Sequence, residues 1–68
     1  MQVTAILTPA DEGGHVAFNP ETGTTTQGES VEEALANLRE AVELFLEGEP
    51  MKLAGTPLVT TLTVKEHA

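Results

Sequence analysis

The sequence predicts an α+β fold, one helix laid across an antiparallel sheet, in the order β-β-β-α-β. Three observations predict it. Residues 2–8 and 57–65 alternate two sets of side chains with the period of a strand. Residues 31–45 repeat apolar side chains at helical spacing. The segments between the early strands are short and rich in Gly, Pro, Asn and Asp, which favours tight turns between sequence neighbours.

Each element has a local reason. In residues 2–8, Val3, Ala5 and Leu7 take one face and Thr4, Ile6 and Thr8 the other. Residues 9–14 are turn formers, and Gly13-Gly14 supplies the positive φ that a hairpin loop needs. Residues 15–18 return as a second strand with Val16 and Phe18 on one face. Asn19-Pro20-Glu21-Thr22-Gly23 is a second turn, and residues 24–27 form a short, polar, β-branched third strand. Ser30-Val31-Glu32-Glu33 reads as a capping box, with the Ser30 hydroxyl accepting from the Glu33 amide while Glu33 reaches back. Val31, Leu35, Leu38, Val42 and Phe45 make the apolar helix stripe. Gly48 as the residue after the helix, and Pro50 beyond it, end the helix. Residues 51–56 connect to a fourth strand over residues 57–65, with Leu58, Leu62 and Val64 on one side and Val59, Thr61 and Thr63 on the other.

Length allows one domain over residues 1–68, with a thin core. A chain this short obtains only about 3–5 kcal/mol from a single core, and zero Cys excludes disulfide or cysteine-zinc staples. Oligomerisation is the remaining common remedy, so a homodimer or homotetramer is expected. One helix covers one sheet face. Alternation assigns Thr4, Ile6, Ala17, Val59 and Thr61 to the other, a mixed face able to pair with a second copy. Ala34, Asn37, Ala41 and Leu44 run beside the main helix stripe, and Ala41 with Leu44 offers a helix–helix contact.

Net charge is −8, from eleven acidic and three basic residues. Arg39, Lys52 and Lys65 form no patch, so nucleic acid and anionic membranes are not expected partners, whereas a basic protein is. No basic leader precedes the first apolar stretch, and no run approaches the roughly 18 apolar residues of a membrane span. A cytoplasmic protein is expected. Chemistry has few candidates. His15 and His67 are the two histidines, Ser30 the one serine and Asp11 the one aspartate, and the glycines match no nucleotide-binding pattern. An enzyme, a metal and a cofactor are therefore not expected. The acidic residues divide by position. Glu29, Glu32 and Glu33 suit the helix N-terminus, but Glu40, Glu43 and Glu47 lie a turn apart toward the negative end of the dipole. Arg39 can relieve Glu43 at i,i+4, and nothing comparable serves Glu47. Glu40, Glu43 and Glu47 are the candidate partner contacts.

From Gly14 to Glu47 the sequence resembles the HicB-like antitoxin family. The resemblance is carried by Gly14-His15-Val16-Ala17-Phe18, by Gly23, by Thr26-Gln27-Gly28-Glu29-Ser30, and by Glu32-Glu33-Ala34-Leu35 followed by Ala41, Leu44 and Leu46. In that family a hairpin ends in Phe and a Pro-rich turn, then a Thr-Gln-Gly-acid-Thr segment feeds a helix beginning Glu-Glu-Ala. Asn-Pro-Glu-Thr-Gly over residues 19–23 stands where the family has Pro-Asp-Leu-Pro-Gly. The resemblance implies a partial ribonuclease-H-like or double-stranded-RNA-binding-like fold that oligomerises. It also implies neutralisation of a small basic RNA-cleaving toxin, HicA, by occlusion. Operator binding, which such antitoxins usually entrust to an additional segment, is not expected of three basic residues. The competing expectation is a stand-alone oligomeric structural or ligand-sensing module.

Overall fold

The computed structural model describes residues 1–48, 55 and 57–66. Strands β1 (Ile6–Pro9), β2 (His15–Asn19) and β3 (Thr24–Gly28) form an antiparallel meander in spatial order β1-β2-β3. Helix α1 (Val31–Gly48) crosses one face. The α+β class and the β-β-β-α order are as the sequence predicts, but the first strand is Ile6–Pro9 rather than residues 2–8: pairing with β2 begins only at Ile6, and residues 2–5 alternate without a ladder partner. Residues 57–66 form no strand, so the fourth strand is absent among the described residues. Alternation marks a segment suited to a pleated surface, and it becomes a strand only when a hydrogen-bonded neighbour is supplied.

The hairpin between β1 and β2 turns through Gly13 and Gly14, at φ 99° and 78°. Ala10 N–H donates to Gly14 C=O at 3.0 Å and Gly13 N–H to Ala10 C=O at 3.1 Å. A Cβ on Gly14 would stand 2.7 Å from the Gly28 carbonyl, so this position admits only glycine on both counts. Gly28 serves closeness rather than φ: a Cβ there would fall 2.8 Å from Ala34 Cα, where the end of β3 passes the first turn of α1.

Register decides the two faces. Leu7 stands opposite Ala17, and Ala17 opposite Thr26, so these three share a face; Ile6, Phe18 and Thr25 share the other. The helix lies on the Leu7–Ala17–Thr26 face. Ala17, Ala34, Leu38 and Val42 are buried there, with Leu7 and Leu46 packed against them. Two further ties hold α1 to β3. Thr26 Oγ1 donates to Ala34 C=O at 3.1 Å, and Asn37 Nδ2 donates to Gln27 C=O at 2.8 Å.

This corrects the face assignment of β2. Ala17 is fully buried under the helix and is no oligomer contact; Phe18 and Val16 instead join Ile6 on the open face. The physical reason is distance. Where backbone layers approach as closely as they do at Ala17 and Ala34, only small side chains fit, and the larger Val16 and Phe18 go outward. The capping box forms with one slip. Glu33 N–H donates to Ser30 Oγ at 3.1 Å, while the Glu33 carboxylate accepts from Glu29 N–H at 3.3 Å, one residue before the cap. Gly48 is the last helical residue and has no positive φ, so it is not a left-handed cap. Residues 49–54, Thr56, His67 and Ala68, among them Pro50 and Lys52, lie outside the described residues.

Candidate protein-binding surfaces

The outward face of α1 is acidic along its length. At about 100° per residue, Glu40, Glu43 and Glu47 all fall within about 40° of the direction opposite Leu38, and Glu32 and Glu33 within about 60°. All five are exposed, and the last turn holds no basic residue. Arg39 lies about a quarter turn away from this face, where with Glu43 it rims a groove beside the helix. The sequence therefore places these three glutamates together as expected, and the helix dipole leaves the group near Glu47 without compensation.

That groove, about 540 Å³ in volume, is apolar. Val3 and Ala5 of the N-terminal segment form one wall; Leu35, Val42 and Leu46 of α1 form the other. A second unpartnered surface is the open sheet face, where Ile6 and Val16 are half-buried and Phe18 is 36% exposed. The other expected oligomer contacts scatter. Ala41 is half-buried; Leu44 is exposed; Val59 and Thr61 are exposed outside the sheet. Thr4 is half-buried and held by hydrogen bonds. Ile6 is the one expected contact that stays on the open sheet face.

A cleft of about 450 Å³ lies at the hairpin end, between Glu12, His15, Glu29 and Glu33. His15 Nδ1 is buried there without a hydrogen-bond partner. The Ser30 hydroxyl is engaged by the Glu33 amide, and no cluster of three or more metal-ligating side chains occurs among the described residues. Among them, too, no helix is long and apolar enough to cross a membrane.

The sequence reading missed a polar latch in the β2–β3 turn. Asn19 is fully buried, the one buried polar residue among those described. Its Oδ1 accepts from Thr22 N–H at 2.9 Å and Thr22 Oγ1 at 2.6 Å, while its Nδ2 donates to Thr4 C=O at 2.7 Å and to the Glu21 carboxylate. Glu21 in turn accepts from Thr4 N–H at 2.8 Å and Thr4 Oγ1 at 2.7 Å. The bond from the Thr4 backbone, then those from the Thr4 hydroxyl and Asn19, hold the Glu21 carboxyl below the usual carboxylate range despite some desolvation. The available signal was Asn-Pro-Glu-Thr-Gly itself, since Asn before a turn commonly accepts from the amide a few residues on. The partner at Thr4, remote in sequence, had no such signal. The latch anchors the N-terminal segment that walls the groove.

A family of unknown function, DUF7387, matches residues 3–61. The chain belongs to that family. Two curated relatives are similar over 47 residues, or 68% of this chain. One is a UPF0150 protein of Helicobacter pylori, 47% identical with 64% of its length covered. The other is a UPF0150 protein of Synechocystis, 40% identical with 65% covered. The chain thus spans somewhat less than two thirds of the length of either relative. No solved structure matches.

Proposed function

We propose that this DUF7387 protein is a non-enzymatic protein-binding module of the antitoxin kind, which neutralises a small basic RNA-cleaving toxin by covering its RNA-binding face. The observation that carries the proposal is the outward face of α1. Glu40, Glu43 and Glu47 are exposed there, on the side opposite the core and toward the negative end of the helix dipole, with no cation among them. Such an array costs the free chain stability and is relieved by basic side chains from outside. The HicB-like resemblance over Gly14 to Glu47 supports a toxin of the HicA type as the addressee. It further suggests a partial ribonuclease-H-like arrangement in which residues 57–65 serve as a fourth strand, in a cytoplasmic homo-oligomer. Complementary charge of this type chiefly raises the encounter rate and selects among partners.

A second reading, a stand-alone oligomeric structural or ligand-sensing module, is favoured by the unpartnered sheet face around Phe18. A pull-down separates the two. The test partner is a basic protein of similar size, encoded beside this one and carrying a Gly-rich strand and a single His. Binding should weaken with salt, as exposed charge pairs do. Changing Glu40, Glu43 and Glu47 together to Gln should weaken it by at least about tenfold, or ~1.4 kcal/mol. A triple variant that binds as tightly as the wild type would rule out the acidic face as the contact.

A further inference from the structure

Three apolar surfaces stay open among the described residues, and the charge around each differs. The groove between the N-terminal segment and α1 has both signs at its rim, Arg39 and Glu43. The sheet face around Phe18 has no charged side chain on β1, β2 or β3. The third surface is the C-terminal end of α1, where Leu44 is 62% and Phe45 45% exposed. It alone is bordered by charge of one sign among the described residues, and so it alone fixes the chemistry of what covers it.

The exposure follows from length. Helix α1, with 18 residues, is about 27 Å long at 1.5 Å per residue, whereas a five-residue strand such as β3 spans about 17 Å. The two are aligned where the end of β3 meets the first turn of the helix, at Gly28 and Ala34, so the last turns of α1 project past the sheet. Leu38 and Val42 are buried, yet Phe45, within about 20° of the Leu38 direction, is not. Leu44 lies on the β3 flank of the helix. Asn37, two turns earlier and about 20° away around the axis, bonds to Gln27 of β3. Between the directions of Leu44 and Phe45 stand Ala41 and Gly48, at about 60° and 80° from Leu38. A Cβ on Gly48 would meet nothing within 4 Å. Two large apolar side chains thus flank a floor of two small residues. Beyond Leu44, at i−4 and i+3, are Glu40 and Glu47.

We propose that this notch is the apolar centre of the partner contact. Its occupant is an apolar side chain of a basic protein, seated over Ala41 and Gly48 between Leu44 and Phe45. Lysines or arginines of that protein lie against Glu40 and Glu47. Charge selects this occupant over the two others at hand. A second copy meeting Leu44 with Leu44 would set Glu40 and Glu47 of each protomer beside those of the other, a like-charge contact that disfavours association. Residues 57–66 carry Lys65 and Glu66, hence no net charge to answer the carboxylates. They also set out from Pro57, which lies against Met1 to Thr4 and Glu21, in the segment that walls the other flank of α1. An apolar centre inside a charged rim matches how interfaces distribute binding energy: a few large desolvated side chains hold the complex, and rim charges guide its formation. The inference rests on the reading of this protein as a binder of a basic partner, and adds that an apolar anchor, with the carboxylates around it, holds the complex.

The test uses the basic protein encoded beside this one, titrated by calorimetry into the full-length chain at about 0.1 M and 1 M salt. Leu44→Ala removes the anchor at an exposed helical site and keeps a strong helix former. It should weaken binding at least about tenfold, and by the same factor at both salt concentrations. The Glu40, Glu43 and Glu47 to Gln variant should lose affinity at low salt and approach the wild type at high salt, where the Debye length is about 3 Å. Leu58→Ala, a change at another exposed leucine, should stay within about twofold of the wild type; an equal loss there would mean general stickiness and overturn the proposal. Weakening in the glutamine variant with none in Leu44→Ala overturns the anchor and leaves the acidic-face reading standing. Weakening in Leu44→Ala that vanishes at high salt overturns it too. No binding by the wild type overturns both. Two further readouts address the other occupants. The urea midpoint of free Leu44→Ala should match the wild type, and a lower midpoint would show the chain's own residues covering Leu44. A wild-type dimer that Leu44→Ala dissociates would show a second copy there. Either result overturns the proposal.

Discussion

Two threonine-rich stretches of similar β-propensity meet opposite fates. Thr22, Thr24 and Thr26 lie in the β2–β3 hairpin, where each hydroxyl is committed: Thr22 to Asn19, Thr24 to Thr22, and Thr26 to the Ala34 carbonyl. Thr60, Thr61 and Thr63 belong to residues 57–66, called the arm below, and are exposed, with one long local contact from Thr60 to the Thr61 carbonyl at 3.4 Å. Composition does not separate them. A partner does. The first stretch has β2 on one side and α1 above it; the second has its apolar face turned to water. Local preference prepares a strand, and tertiary contacts make one.

The largest expected effect contrasts Leu38 in the body with Leu62 in the arm. Leu38 is 3% exposed at the centre of the core. Leu38→Ala should cost about 2–5 kcal/mol through lost burial and the cavity left behind, enough to unfold much of a domain this small. Leu62→Ala should change the unfolding free energy by less than about 0.5 kcal/mol in dilute, monomeric protein. Urea titration at low concentration measures both. Equal losses would mean that Leu62 is buried in the single chain, and the contrast between body and arm would collapse.

Next in size is Asn19. Asn19→Ala strands the Thr22 amide and the Thr4 carbonyl, each at a cost of about 1–3 kcal/mol where water cannot replace the bond. Thr61→Ala, its counterpart in the arm, should be neutral within about 0.5 kcal/mol. Amide hydrogen exchange adds resolution, because the Thr22 amide, which donates to Asn19 Oδ1, should lose protection in Asn19→Ala while the helix core keeps it.

Glu21 sharpens the same comparison through pH. Its folded pKa is depressed, so its ionised form is favoured by folding. Its contribution is present above the unfolded carboxyl value, near 4.3, and is lost as pH falls through the lower folded value. The urea midpoint should therefore fall from pH 5 toward pH 3, with a shallower slope in Glu21→Gln. An unchanged slope would show that the latch does not depend on the charge.

How much of this was legible follows from distance along the chain. The helix start was readable because Ser30 and Glu33 are three residues apart; of β1 the face was readable at Leu7, which packs on the core, but not the bounds, since the strand begins at Ile6 where β2 first pairs with it. The β2 face was not. Hydrophobicity favours Val16 and Phe18 as core, whereas the close approach at Ala34 selects Ala17, a fact of interlayer spacing that no strand pattern encodes. The Thr4–Asn19–Glu21 latch joins positions with no periodic relation. Helical geometry is local, so Glu40, Glu43 and Glu47 share the exposed face that their spacing implies, whereas the expected sheet contacts scatter because strand pairing is not local.

The smallest effect concerns that acidic face, and its sign carries the argument. Changing Glu40, Glu43 and Glu47 to Gln takes the net charge from −8 to −5, three charges removed. It relieves the Glu40–Glu43 and Glu43–Glu47 repulsions, each a few tenths of a kcal/mol, and an unfavourable interaction with the helix dipole at Glu47. Thermal unfolding should therefore show a gain of about 0.5–1 kcal/mol, shrinking as salt is raised. The same variant is expected to bind a basic partner less well. Opposite signs in the two measurements are what a binding surface maintained at the expense of stability requires. If the triple variant is instead less stable than the wild type, the three glutamates contribute to the fold of the free chain, and the case for an external cationic partner loses its physical basis.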